Sequence, residues 1–222
     1  MKKQGFTLAE ILIALGVVGI IAAISIPGLA TESKKKVWAN SLSTAVSNFE
    51  NAMTSYLVYE NEYKLSDTKA WKEYENNLDH KKALGKKFSI KKKSDTAADY
   101  YGTQIIVKSL NTKITTDALS RAGITGQAYE TNNGIAYFIN IKNNNDIAAK
   151  IGIDINGKKT PNIIGRDIFV FHLTEEGYLK PYGSGDFGES EVTETNCSTK
   201  VTGTVGEHCA ARLIGNGYKM DY

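Results

Sequence analysis

A carboxylate, Glu10, stands at the entrance of a run, residues 11–31, that carries no charged side chain. A charge beside lipid or inside an apolar bundle is costly unless a cation meets it, so Glu10 asks for a partner. The plainer reading sets it at the depth of the lipid headgroups, with nothing to pair.

Other residues with chemistry in them are sparse. Asp154, Asn156 and Asp167 in DINGKKTPNIIGRD are hard oxygen donors of the kind calcium takes. They form only a fragment of an EF-hand pattern, with no closing glutamate, and Asn156-Gly157 also makes a good tight turn, the reading preferred here. Cys197 and Cys209 most simply form one disulfide in an exported chain, worth roughly 3 kcal/mol by the chain-entropy estimate. Zinc would need more ligands than these two and the adjacent His208. His80, His172 and His208 are far apart, and there is no Gly-x-Ser-x-Gly elbow and no GxxxxGK[ST] loop. No catalytic constellation follows, and the expectation is a protein that is not an enzyme and needs no cofactor, calcium being the one candidate.

The elements that must carry these residues are readable in part. The chain has 222 residues, 41% of them hydrophobic, enough for one ordinary domain with a core plus an appendage. Its net charge of +3 includes Lys2 and Lys3, which leaves too little excess to imply nucleic-acid binding. Residues 11–30 have the length of a membrane-spanning helix, and the basic residues ahead of it place the N-terminus in the cytoplasm and the remainder outside. Beyond the span, Trp38, Leu42, Val46, Phe49, Met53 and Leu57 recur at helical spacing, which predicts one long helix to about Tyr63, on the order of 85 Å. Pro27 removes a backbone donor from its first half, so a kink or local melting is expected there. Lys34, Lys35 and Lys36 fall where the helix leaves the lipid, either touching headgroups or, as preferred here, simply solvated.

In the middle, Trp71, Tyr74, Leu78 and Leu84 keep a helical spacing that Gly85 would stop. Lysines 81, 82, 86, 87, 91, 92 and 93 lie near Tyr100 and Tyr101, a combination that suits phosphate contacts with aromatic stacking but is more often a wet loop face. From Gly134 onward IAYFINI, AAKIGIDI and DIFVFHL read as strands of an antiparallel meander laid on the amphipathic half of the helix. His172 alternates with Phe169 and Phe171, which points it to solvent or to an edge. The stretch between the cysteines is polar and reads as surface.

Lys2 and Lys3, then Gly5-Phe6-Thr7-Leu8-Ala9-Glu10 and a long apolar helix containing Pro27, resemble the class III signal of type IV pilins and type II secretion pseudopilins. The resemblance covers about the first 30 residues. It implies an α+β pilin-like fold: a long N-terminal α-helix, membrane-spanning in its first half, packed on a C-terminal antiparallel β-sheet. It divides the chain into a leader, residues 1–5, a polymerisation helix, 6–30, an amphipathic continuation, 31–63, and an extracytoplasmic head, 64–222.

In that family a prepilin peptidase/methyltransferase cuts after the glycine and methylates the new N-terminal residue, here Phe6. Gly5, Phe6 and Glu10 would be its recognition features, and Phe6, Glu10 and Pro27 would serve assembly. Glu10 would pair with the Phe6 amine of its own or a neighbouring chain. Cys197 and Cys209 would delimit the disulfide loop common in this region of pilins.

The implied partners are other pilin or pseudopilin subunits, the inner-membrane assembly platform and the cytoplasmic membrane, with nucleic acid not expected. The head, at over 150 residues past the membrane, fits a minor or tip subunit. The runners-up are a competence pilin, an anchored binding protein that never polymerises, and a secreted hydrolase with a misread signal.

Overall fold

The computed structural model describes residues 5–69, 71–72, 90–111, 117–144 and 146–222. Tyr74, Leu78, Leu84, Gly85, His80 and the lysines at 81, 82, 86 and 87 lie outside the described residues. The chain divides into two units, Met1–Val37 and Trp38–Tyr222.

Helix α1 (Leu8–Glu60) enters both units. It starts on Thr7 and stops where Asn61 takes a left-handed φ of 56°, with the Glu62 amide donating to the Leu57 carbonyl at 3.0 Å. That six-to-one bond is a helix-terminating cap, which is why the helix ends short of Tyr63. The expected melting at Pro27 is not found, because the helix runs unbroken through it. A proline removes one i→i−4 bond, and the apolar turns on either side keep theirs. Thr31 Oγ1 donates to the Pro27 carbonyl at 3.0 Å, one turn further on.

In the first unit the apolar side chains of α1 are exposed all round, from Leu8 and Ile11 to Ile26 and Leu29. The helix is long and apolar enough to cross a membrane.

In the second unit the stripe read from the sequence is buried: Leu42, Val46, Phe49, Met53 and Leu57, joined by Ala45, Ala52 and Tyr56, with Trp38 packed at its start. It covers a six-stranded sheet in the order β1 (Ile90–Ser94), β2 (Gln127–Thr131), β3 (Ala136–Asn144), β4 (Ile147–Asp154), β5 (Ile168–Thr174) and β6 (Leu179–Pro181). Every neighbouring pair is antiparallel.

Tyr137, Ile151, Ile153, Phe169 and Phe171 point into the helix-facing core, and the rings of Phe49 and Tyr137 lie 5.2 Å apart. Two polar bonds fix the docking: Tyr137 Oη donates to the Ala45 carbonyl at 3.1 Å, and the Leu179 amide donates to Glu50 Oε1 at 2.8 Å.

The other sheet face is also covered, which the sequence reading did not anticipate. Ala128, Ala136, Phe138, Ile168 and Val170 form a second core with α2 (Ala97–Tyr101), α3 (Ala118–Arg121), Ile124 and Val205. Consequently every residue of β4 and of β5 is buried. Lysines 91, 92 and 93 sit on the edge strand β1, where lysine deters strand addition by another chain. Tyr100 and Tyr101 are buried in the second core, with Phe138 5.6 and 5.7 Å from their rings, so stacking on a nucleic acid is closed to them.

Cys197 and Cys209 form a disulfide, the latter opening α4 (Cys209–Gly215). Both are fully buried against Leu110 and Ile163. Segment 108–111 is threaded between the β4–β5 loop and the disulfide loop: Lys108 donates to the Asn162 carbonyl at 2.9 Å, and Leu110 to the Val205 carbonyl at 2.7 Å. The disulfide loop is therefore less superficial than its composition reads, since Thr204 and Val205 are buried. Gly206, at φ 108°, has no room for a Cβ against the Ile164 carbonyl.

Two outcomes follow for the detergent-solubilised full chain under chemical denaturation. Phe49→Ala should cost about 3–5 kcal/mol, whereas exposed Asn48→Ala should change stability by less than about 0.5 kcal/mol. Reduction should lower stability by roughly 3 kcal/mol and raise amide exchange at Leu110 and Asn111, the residues pinned to the loop. Unchanged exchange there would separate the disulfide from segment 108–111.

Candidate functional site

The N-terminal site is built on the first turn of α1. Gly5, Phe6 and Thr7 precede the helix without regular structure, Phe6 is 85% exposed, and no atom lies within 4 Å of a Cβ placed on Gly5. Among the described residues, nothing covers the Gly5–Phe6 peptide bond.

Immediately after it, Thr7 and Glu10 form a reciprocal cap. Thr7 Oγ1 accepts from the Glu10 amide at 3.3 Å, and Glu10 Oε2 accepts from the Thr7 amide and the Thr7 hydroxyl, both at 2.8 Å. This is the Thr-x-x-Glu capping box, legible in TLAE but not drawn from it above. It turns the carboxylate back toward the chain end, one residue from Phe6. Pro27 stands well apart from this group along α1, inside the helix.

The acidic pair in the second unit has a different use. Asp154 and Asp167 are fully buried. Asp154 Oδ2 accepts from Tyr101 Oη at 2.6 Å and its Oδ1 from the Asn156 amide at 3.1 Å. Asp167 accepts from the Asn162 amide at 2.8 Å and the Ile163 amide at 2.6 Å, one bond per oxygen.

All four carboxylate oxygens therefore take protein donors, and the Asn156 and Asn162 amide oxygens are the remaining candidates without a protein partner. Calcium asks for six to eight oxygens, so the set does not fit it. Among the described residues no group of three or more His, Cys, Asp or Glu is placed to hold a metal. The pair instead staples residues 155–167, the β4–β5 loop, in which the chain turns at Gly157 with a left-handed φ of 63°.

His172 is a correction. It is buried, 3% exposed, because loop residues close over that end of the sheet. Its ring lies 5.2 Å from that of Tyr182 and 5.3 Å from that of Phe187, and Nε2 is 3.7 Å from Glu189 Oε2. Strand alternation gives the face of His172 correctly as opposite to Phe169 and Phe171, but it cannot tell that this face is covered.

Burial raises the acids. Asp154 is pushed well above the usual carboxylate range by desolvation and then by the Asp167 charge, and Asp167 is pushed up to about 6 by desolvation. A folded state that holds protons more tightly than the unfolded chain loses stability as they leave. Stability should thus fall as pH rises from about 4, the unfolded value, through about 6. Asp154→Asn, which removes one charge of the pair, should flatten that slope in urea titrations at pH 4 to 7. An equal slope in variant and parent would remove the pair as its source.

Among known proteins, no curated protein and no solved structure matches the chain. One family profile does, the prokaryotic N-terminal methylation motif, over residues 1–26. Those residues hold the open Gly5–Phe6 bond, the Thr7–Glu10 box and most of the exposed apolar helix. With a long apolar N-terminal helix and an antiparallel sheet, the layout is pilin-like, and the chain carries at its N-terminus the methylation signal of type IV pilins and pseudopilins.

Proposed function

We propose that the chain is a structural subunit, and a minor one, of a type IV pilus or type II secretion pseudopilus. A prepilin peptidase cuts between Gly5 and Phe6 and methylates the Phe6 amine. Residues 6–30 anchor the subunit in the cytoplasmic membrane with the N-terminus inside and the head outside, until the assembly platform moves it among other subunits. The observation that carries this reading is the methylation motif heading a helix whose large apolar side chains from Leu8 to Leu29 are exposed on every side. A surface of that kind is stable only in lipid or among copies of itself.

The capping geometry supports the role given to Glu10. Its carboxylate already accepts from the Thr7 amide, so an amine released at Phe6 by cleavage lies within a residue of it. In a low-dielectric bundle the carboxylate serves its own amine or that of a neighbouring chain, and losing it strands a positive charge. The head's large second core, and the absence of a catalytic constellation from the sequence, fit a protein that presents a surface.

The test is Glu10→Leu in the native host. Removing a charge from the apolar segment favours insertion, so the variant should reach the membrane at normal level, and the mass of its N-terminus gives the fraction cleaved to Phe6, against which assembly is scored. Sheared filaments should contain little of it. Incorporation at the parental level would reduce Glu10 to an interfacial cap and favour an anchored protein that does not polymerise.

A further inference from the structure

We propose that Lys34, Lys35 and Lys36 form a collar that binds the phosphates of anionic phospholipids on the outer face of the membrane, an inference that rests on the membrane-spanning reading of α1. The uncharged run of residues 11–31 would cross a hydrocarbon core of about 30 Å at 1.5 Å per residue. Lys34 follows it by three residues, or about 4.5 Å, which is headgroup depth. Successive residues are turned by about 100°, so three adjacent lysines span more than half the helix circumference, and some amine meets the headgroup layer whatever the tilt.

The charges around the collar decide what it binds. Lys35 has an acid on its own helix, Glu32, at 3.5 Å. Lys34 and Lys36 are exposed, and among the described residues neither has an acidic partner. Removal of residues 1–5 takes Lys2 and Lys3 away and leaves the Phe6 amine as the inner positive charge, against three lysines outside. The mature flanks then run against the positive-inside bias. A span so arranged holds its orientation if the outer lysines find negative charge where they are, and lipid phosphate is the negative charge present at that depth. The collar would retain the subunit in the bilayer, and extraction toward a filament would have to break it.

Reductive dimethylation of the full chain in lipid nanodiscs, read residue by residue by mass spectrometry, tests this. At low salt, labelling of Lys34 and Lys36 should be at least about three-fold slower in discs containing phosphatidylglycerol than in phosphatidylcholine alone, with the difference lost in roughly 0.5 M salt. Exposed Lys159 and Lys200 should label equally in both. Equal rates at Lys34 and Lys36 in the two lipids overturn the collar. So does protection that follows the number of chains per disc instead of the lipid, which would assign the acids to a second copy. A chain that stays out of the discs, with residues 11–31 open to protease, overturns the membrane reading itself.

Discussion

The large apolar side chains of α1 from Leu8 to Leu29 are exposed among the described residues, and the surroundings that must cover them govern the rest of the structure. A helix exposed in this way is unstable in water alone, and lipid or a bundle of like helices are the two media that relieve it. The single acid at its entrance is then constrained as well. Glu10 cannot lie unpaired in either medium, and in the chain as it stands its Oε2 accepts from both the Thr7 amide and the Thr7 hydroxyl. The proposed cleavage beside that box would introduce a cation one residue away and give the same carboxylate a stronger partner.

The second unit solves a separate problem. Strands β4 and β5 are apolar on both faces and must be covered twice. The continuation of α1 covers one face through its Leu42 to Leu57 stripe. Small helices, the β4–β5 loop and the disulfide segment cover the other. Two of the buried charged side chains on that second face have partners, as buried charge requires. Asp154 has Tyr101 Oη, and Lys150 Nζ lies 4.1 Å above the Tyr182 ring centroid. Long loops thus do the work of a layer, and the disulfide beside Leu110 and Ile163 is where several of them meet.

How much of this the sequence discloses depends on periodicity. The stripe from Trp38 to Leu57 is legible because apolar residues recur at 3.6, and β3, β4 and β5 because they are short apolar runs bounded by Asn, Asp and Gly. Strand β1, IKKKS, offers no alternation, QAYET in β2 is too short, and β6 is three residues long. Their pairing is decided by neighbours far away in the chain. The same limit hides the second cover, and with it the burial of His172, Tyr100 and Tyr101. At the N-terminus the order of residue types carries the signal directly, because the methylation motif is a contiguous stretch, residues 1–26. The capping box was equally local, Thr7 and Glu10 being three residues apart.

The central claim, that the chain is a precursor processed at this site, is tested most directly by the mass of the N-terminal peptide of the protein recovered from its host's membranes. The account predicts a chain beginning at Phe6 with one methyl group on its amine. A chain that begins at Met1, or at any residue other than Phe6, contradicts it.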